Sequence, residues 1–172
     1  GLRPPRTAGD DGREVTDGWT ALADDVSDGG WATLAAESKD RREHPLAHAR
    51  LWHRDPPQTS QARCVRERAR VTLVAAGNRS GKTEAGAMLC TAMALGRDAP
   101  EVAAWCERNA IDSATIPRGP GVCCASALTS GDSLRYLRPK VAGYLPSGAR
   151  WHNREGQGEA WVTLPGNGRI LF

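Results

Sequence analysis

The most informative part of this chain is Val71-Thr-Leu-Val-Ala-Ala-Gly-Asn-Arg-Ser-Gly-Lys-Thr83. It begins with apolar, β-favouring residues and ends, over residues 76–83, in the pattern [Ala/Gly]-x-x-x-x-Gly-Lys-Thr. A buried strand that turns through such a loop into a helix lets backbone N–H groups wrap around a phosphate group. We therefore predict a strand over 71–76, a phosphate-binding loop over 76–83 and a helix over 82–95 that ends at Gly96.

The loop residues suit the binding of ATP and Mg²⁺. Gly77 and Gly81 lack the Cβ atoms that would block a close wrap. Lys82 places an ammonium on the β- and γ-phosphates, and the Thr83 hydroxyl is the predicted Mg²⁺ ligand. The predicted nucleotide contacts from the loop are Ala76, Gly77, Asn78, Arg79, Ser80, Gly81, Lys82 and Thr83. A chance match at a strand–turn–helix corner is the alternative, and the combined pattern favours nucleotide binding.

The scarcity of lysine supports the same interpretation. The chain has 20 arginines but only three lysines, Lys39, Lys82 and Lys140. A phosphate loop uses a compact point charge on a thin stem, which a planar guanidinium does not supply. One of the three lysines stands at that position.

The composition indicates where in the cell the protein is expected to be. The chain has 172 residues, 40% of them apolar, and a net charge of +3, which is too small to indicate nucleic acid by itself. No apolar run is long enough for a transmembrane helix, and no signal peptide is visible. The five cysteines form no C-x-x-C pair, and adjacent Cys123 and Cys124 in an apolar run indicate buried packing. We expect a cytoplasmic protein, and the initial Gly1 indicates an excerpt of a longer chain.

The chain divides into three predicted regions. Residues 1–18 are rich in Gly, Asp, Arg and Pro and are expected to be a disordered leader. Residues 19–52 contain short helical patterns and form a small helical lead-in. Residues 53–172 are predicted to be a partial P-loop ATPase domain. The expected fold is α/β: a mostly parallel sheet of the P-loop NTPase type with flanking helices and a β-hairpin near the C-terminus.

Within the last region, further elements follow from the pattern. Helices are predicted over 58–68 and 102–108, and a second buried strand over 121–126. Residues 133–144 carry apolar side chains at helical spacing, with Pro139 expected to kink or shorten the helix. The hairpin is predicted from strands at 159–164 and 169–172 around Pro165-Gly-Asn-Gly168.

Three segments together resemble the ATPase half of bacteriophage terminase large subunits. They are Leu51-Trp-His-Arg-Asp-Pro-Pro-Gln58, Val74-Ala-Ala-Gly-Asn-Arg-Ser-Gly-Lys-Thr-Glu-Ala-Gly86 and Trp161-Val-Thr-Leu-Pro-Gly-Asn-Gly-Arg-Ile-Leu-Phe172. Val122–Ser130 and the helix that ends in Tyr144-Leu-Pro146 resemble the same family's order of elements, so the resemblance covers roughly residues 52–172. In that family a Pro-x-Gln element contacts adenine, which implies this role for Gln58. A carboxamide also matches the N6–H₂ and N7 edge of adenine. A solvated glutamine in a turn is the alternative.

The resemblance implies that the full-length protein is an ATP-driven DNA-packaging motor. Terminase large subunits couple ATP hydrolysis to the packaging of viral DNA in the cytoplasm of an infected bacterium. The implied partners are double-stranded viral DNA, the portal protein and the small terminase subunit, with a ring oligomer on the portal and no membrane. Family members carry a loop arginine at the γ-phosphate, often one position earlier than Arg79, where this chain has Asn78. Arg79 is therefore a candidate catalytic residue beside Lys82, and a surface arginine paired with an acid is the other possibility.

The sequence lacks the carboxylates that an ATPase and a nuclease use for catalysis. After Thr83 no apolar strand ends in an Asp-Glu pair, and Asp132 and Glu159 stand in a loop and at a strand start. Hydrolysis needs a carboxylate to orient water. By the family's order the acidic (Walker B) strand follows Phe172, and the nuclease residues lie in a later domain. We therefore expect this piece to bind ATP but to hydrolyse it slowly.

Other functions stay open. A superfamily 1 or 2 helicase-like ATPase also pairs an upstream Gln with a phosphate loop. A P-loop small-molecule kinase predicts an arginine-rich lid, although residues 97–118 carry few arginines. A pseudo-ATPase with a structural role is a third possibility.

His44 and His48 are spaced for zinc but lack a third ligand. The arginines in residues 63–70 and the six tryptophans fit surface and core positions better than DNA contacts.

Overall fold

The computed structural model describes residues 28–51, 61–66, 81–127, 129–153 and 160–172. The chain divides into two units, Gly1–Glu37 and Ser38–Phe172. In the described part of the first unit, residues 28–37, Trp31 and Leu34 are exposed on a helix. The predicted leader, 1–18, lies outside the described residues.

Helices precede the first strand of a small sheet and separate it from the second strand. The α-helices of the described residues are α1 (Asp28–Glu43), α2 (Pro45–His48), α3 (Gln61–Arg66), α4 (Lys82–Leu95), α5 (Pro100–Arg108), α6 (Ser130–Asp132) and α7 (Arg138–Ala142), with a π-helical turn, Ser133–Leu137, joining α6 to α7. The strands are β1 (Val122–Cys124), β2 (Arg150–Asn153), β3 (Ala160–Thr163) and β4 (Arg169–Leu171). Helices α3, α4 and α5 lie where the sequence predicted helices, and β2 was not predicted.

The sheet is mixed, so the expectation of a mostly parallel sheet is wrong for the described strands. Their order is β1-β4-β3-β2. β1 and β4 are parallel, whereas β4–β3 and β3–β2 are antiparallel. The short connections β2–β3 and β3–β4 join antiparallel neighbours, and the long, helix-bearing connection from β1 to β2 allows β4 to lie parallel to β1. The C-terminal hairpin is confirmed as β3–β4, and the strand predicted over 71–76 lies outside the described residues.

The two faces of the sheet have different surroundings. Cα partners in register point to the same face, so Cys123, Val162 and Ile170 share the inner face, and the latter two are fully buried. Val122 and Cys124 point to the other face, where Val122 is 67% exposed. The second strand predicted over 121–126 is present as β1, but the expectation that it is buried is wrong for Val122 and Cys124, because only one face of β1 packs on the core.

Helix α4 is the element packed on the inner face. Its buried residues are Ala85, Ala87, Met88, Thr91, Ala92, Ala94 and Leu95, and most of these are small enough for the helix to approach the sheet closely. The helix ends as predicted: Gly96 has φ +82°, and its N–H donates to the Ala92 carbonyl at 2.9 Å. The Ala94 carbonyl accepts from the Gly121 N–H at 3.0 Å. This bond fixes the C-terminal end of α4 to the chain just before β1.

Residues 130–142 form a helical segment of unusual shape. The Arg138 N–H donates to the Ser133 carbonyl, five residues earlier in the chain. In a regular α-helix the Pro139 ring would clash with the carbonyl of the fourth residue before it. The wider π-helical turn avoids that clash, so the proline reshapes the predicted helix without ending it.

A buried amide holds residues 49–51 against α5. The Asn109 side chain accepts from the Leu51 N–H at 2.7 Å and donates to the carbonyls of Ala49 at 3.1 Å and Trp105 at 2.8 Å. Arg66 of α3 donates to the Asn109 carbonyl at 2.7 Å. Because a buried amide is costly unless its donors and acceptors are paired, these bonds specify how α3 and α5 meet.

Because α4 approaches the β3–β4 hairpin closely, we predict that position 168 requires glycine. A Cβ at Gly168 would lie 1.9 Å from the Ala94 carbonyl oxygen, and a Cβ at Gly86 of α4 would meet nothing within 4 Å. We expect Gly168→Ala to lower the free energy of unfolding by about 1–3 kcal/mol, the scale for overpacking. The matched control Gly86→Ala should raise it by about 0.5–1 kcal/mol. Urea unfolding measures both, and an unchanged midpoint for Gly168→Ala would contradict this packing.

Candidate functional site

The candidate site is built on the first turn of α4. Gly81 precedes it in the left-handed region, with φ +75°, which favours glycine. The Gly81 carbonyl accepts from the Ala85 N–H at 3.0 Å and from the Gln61 side-chain amide at 2.7 Å. Lys82 and Thr83 follow as the first helical residues, half-buried and exposed respectively. The helix therefore begins with a lysine and a threonine directly after a left-handed glycine.

The direction of α4 sets where these residues lie. Its C-terminal end meets Gly121 at the start of β1, so α4 runs antiparallel to β1 and its N-terminal end reaches the carboxyl end of that strand. β4 is parallel to β1. Lys82 and Thr83 consequently lie at the carboxyl edge of a parallel strand pair, which is where ligands bind in α/β sheets.

A cavity of about 560 Å³ opens at this edge. Its lining residues are Lys82, Thr83, Gly86, Ala87, Leu89, Cys90, Met93, Cys123, Cys124, Ala125, Ser126, Leu137 and Val141. The polar end consists of the α4 first turn and Ser126, and the remainder is mostly apolar. A volume in the range of known ligand pockets, with a few polar groups at one end, suits a ligand that carries charge on one side.

Two of the predicted nucleotide contacts, Lys82 and Thr83, line this cavity, and Gly81 directly precedes them. The others, Gln58, Ala76, Gly77, Asn78, Arg79 and Ser80, lie outside the described residues. Gln61, which the sequence did not single out, contacts the end of the loop through the Gly81 carbonyl.

Glu84, the residue after Thr83, belongs to a polar cluster with Lys140 and Tyr144 that the sequence analysis did not predict. The Glu84 carboxylate pairs with the Lys140 ammonium of α7 at 2.6 Å and accepts a hydrogen bond from the Tyr144 hydroxyl. Burial raises the pKa of Glu84, but the hydrogen bonds from Lys140 and Tyr144 and the lysine charge outweigh it and hold the pKa below its usual value. The ion pair therefore fastens α7 to the first turn of α4.

Two of the thiols beside the cavity, those of Cys90 and Cys123, contact each other. A hydrogen bond joins Cys90 of α4 to Cys123 of β1, and this bond, with burial and the neighbouring thiols, raises the pKa of Cys90. A protonated thiol is a poor nucleophile and a poor metal ligand. Cys123 is half-buried, whereas Cys124 is exposed, so the expectation of burial is wrong for Cys124.

The acidic and histidine side chains of the described ranges are not clustered around a metal position. There, no group of three or more His, Cys, Asp or Glu side chains is placed to hold a metal ion. Asp132 accepts from the Thr129 hydroxyl at 2.9 Å, and Glu159 lies outside the described residues. His48 bonds to Asp40 at 2.6 Å on the exposed surface.

Among the described helices, none combines the length and apolar character needed to cross a membrane. No protein-family model, curated protein or solved structure matches this chain.

The Glu84–Lys140 pair predicts a pH-dependent stability difference. A carboxyl whose pKa is lower in the folded state stabilises the fold above its unfolded pKa, near 4.5, and loses this effect as the pH falls through the folded value. Lys140→Ala should lower the free energy of unfolding by about 1 kcal/mol at pH 7 and much less near pH 2.5. Urea unfolding at both pH values measures the difference.

The matched control for this prediction is Lys39→Ala. Lys39 pairs with Glu43 at 3.9 Å on an exposed helix surface, so its removal should change stability by less than about 0.5 kcal/mol at either pH. Equal losses for Lys140→Ala at pH 7 and pH 2.5 would show that lysine packing, and not the ion pair, stabilises this contact.

Proposed function

We propose that this chain binds ATP with Mg²⁺ at the first turn of α4. One observation carries the proposal: Gly81, Lys82 and Thr83 begin a helix at the carboxyl edge of the parallel pair β1–β4, beside a cavity of about 560 Å³. The unsatisfied N–H groups and dipole of that helix end favour an anion. The sequence of residues 76–83 supplies the phosphate-loop pattern that leads into it.

Each residue has a proposed role in this complex. Lys82 neutralises the β- and γ-phosphates, and Thr83 donates its hydroxyl oxygen to Mg²⁺. The loop backbone of residues 76–81 surrounds the phosphates, and Arg79 stabilises the charge that develops on the γ-phosphate during transfer. Arg79 and Lys82 are therefore the proposed catalytic cations.

Gln58 is the proposed adenine contact. The bond between Gln61 and Gly81 places α3 against the end of the loop. Because Gln58 precedes Gln61 by three residues, chain connectivity keeps their Cα atoms within about 11 Å of each other. A carboxamide at that distance can reach a base whose phosphates lie on Lys82.

The proposed biological role is that of a terminase large subunit, in which ATP hydrolysis drives the packaging of viral DNA. Support comes from the resemblance of residues 51–58, 74–86 and 161–172, and from the hairpin that follows the helical segment 130–142. The proposed partners are double-stranded DNA, the portal protein and the small terminase subunit, within a ring in the cytoplasm of the host bacterium. A helicase-like ATPase shares the same nucleotide chemistry and is the second candidate.

The small-molecule kinase is less well supported. Residues 97–118 would have to supply an arginine-rich lid over the phosphates. Trp105 and Ile116 of that span are fully buried in the core, and the Arg108 Nε donates to the Ala47 carbonyl at 2.9 Å. A span anchored in this way fits a structural element better than a moving lid.

Lys82 should dominate the affinity for nucleotide. Lys82→Ala is expected to weaken Mg·ATP binding by roughly 2–4 kcal/mol, about 30- to 1,000-fold, because a charge-assisted contact to the phosphates is lost. Titration with a fluorescent ATP analogue measures the change. Lys39→Ala, which removes an exposed lysine far along the chain, should bind like the parent. Equal affinity for Lys82→Ala and the parent would refute the phosphate-loop assignment.

Gln58 should set the preference for the base. Guanine presents O6 and N1–H where adenine presents N6–H₂ and N1, so a carboxamide that pairs with adenine is mispaired with guanine. The parent should prefer ATP to GTP, and Gln58→Ala should remove that preference while retaining most of the triphosphate affinity. Competition binding with both nucleotides tests this, and a parent that binds both equally would contradict the role of Gln58.

A further inference from the structure

The face of the sheet opposite α4, here called the outer face, is open to solvent. The strand register places on it the side chains of Val122, Cys124, Arg150, His152, Trp161, Thr163, Arg169 and Leu171. None of these residues is buried, whereas Val162 and Ile170 of the inner face are fully buried. An exposed sheet face that carries large apolar side chains indicates a surface for a partner.

The outer face consists of two rows that cross the strands. The first row contains residues paired from strand to strand, namely Val122, Arg169, Thr163 and Arg150. The second row lies two residues along each strand and contains Cys124, Leu171, Trp161 and His152. Two residues of an extended strand span about 7 Å, so the cations of the first row lie beside the mostly apolar second row.

The charge of the first row is positive. Arg150 and Arg169 are both exposed, and their strands are two positions apart in the sheet, roughly 10 Å at the usual strand spacing. No Asp or Glu occurs in the four described strands, and neither arginine forms an ion pair within the described residues. Two exposed guanidinium groups on a face without acids favour an anionic partner.

The second row offers a surface for stacking. The His152 ring lies parallel to the Trp161 indole, with 5.0 Å between the ring centres and 6° between the planes. A hydrogen bond of 3.2 Å between His152 Nε2 and the Thr163 hydroxyl holds the imidazole in this orientation. Leu171, which is 39% exposed, continues the apolar row on β4. Single-stranded nucleic acids bind where aromatic side chains stack on bases and cations track the phosphates.

We propose that the outer face binds single-stranded DNA, with phosphates at Arg150 and Arg169 and bases against Leu171, Trp161 and His152. Separate rows for charge and for apolar contact match the separation of phosphate and base in an unpaired strand. A double helix fits less well, because its major groove is about 12 Å wide and the outermost described strands are about 14 Å apart. The choice of DNA rests on the proposed packaging function, whereas the surface lies on the sheet face opposite α4 and its Lys82.

The arginines are tested by fluorescence anisotropy with a labelled oligothymidylate. Arg150→Gln and Arg169→Gln should each weaken binding about threefold or more and reduce the slope of log affinity against log salt by about 0.7. Arg135→Gln, which removes an exposed arginine outside the strands, is the matched control and should bind like the parent. No binding by the parent, or an equal loss for Arg135→Gln, overturns the proposal.

Stacking is tested by His152→Ala. Loss of one base–aromatic contact should weaken binding about fivefold or more. Asn153→Ala is the matched control, because Asn153 is the exposed neighbour whose side chain points to the other face of the sheet. Equal binding by His152→Ala and the parent would overturn the placement of the bases on the second row.

A pair of exposed positions tests the surface without removing a packed side chain. Val122 on the outer face is 67% exposed, and Leu134 outside the strands is 58% exposed. Val122→Glu should weaken oligothymidylate binding about fivefold, because it places a like charge near the phosphates, and Leu134→Glu should change it less than about twofold. Urea unfolding checks that both variants fold like the parent. Equal effects of the two substitutions would show general charge repulsion and overturn the proposed surface.

Competition identifies the kind of nucleic acid and separates this inference from the ATP proposal. A dA·dT duplex should compete about tenfold less well than oligothymidylate. Equal competition by the duplex, or stronger competition by oligouridylate, overturns the assignment to single-stranded DNA. Lys82→Ala should bind oligothymidylate like the parent. Absent oligothymidylate binding with intact Lys82-dependent ATP binding would refute this inference alone, and the reverse result would refute the ATP proposal alone.

Discussion

The close contact between the C-terminal end of α4 and the strands β1 and β4 sets the geometry of the rest of the structure. The Ala94 carbonyl accepts from the Gly121 N–H, and Gly168 approaches the same carbonyl so closely that a Cβ would not fit. With that end fixed at the start of β1, the other end of α4 must reach the carboxyl edge of the sheet. The position of Lys82 thus follows from a packing constraint at Ala94, near the other end of the 14-residue helix.

Elements fixed by local chemistry were predictable from the sequence. The alanine-rich run before Gly96, the proline that opens α5 and the Pro-Gly-Asn-Gly turn between β3 and β4 each specify structure within a few residues. β2 was missed because Arg150-Trp-His-Asn153 is short and polar, and it becomes a strand only through pairing with β3. The mixed order of the sheet was missed for the same reason, since strand pairing is a property of the whole fold.

In the candidate site, too, some features follow from the local sequence and others only from the tertiary fold. The sequence of residues 81–83 predicts a loop–helix junction, and the structure has a left-handed Gly81 there. The contact of Glu84 with Tyr144 joins residues 60 positions apart, and no local pattern indicates it. Residue type identifies the chemistry, whereas tertiary packing decides which groups remain available for it.

Backbone hydrogen exchange with and without Mg·ATP tests the central claim most directly, because it locates the ligand without relying on a variant. If the nucleotide binds at the first turn of α4, the amides of residues 82–85 and of the β1 carboxyl edge at 125–126 should exchange more slowly in its presence. Amides at the opposite end of the helix, near Leu95, should change little. Protection that is confined to another part of the chain, or absent at saturating Mg·ATP, would contradict the account.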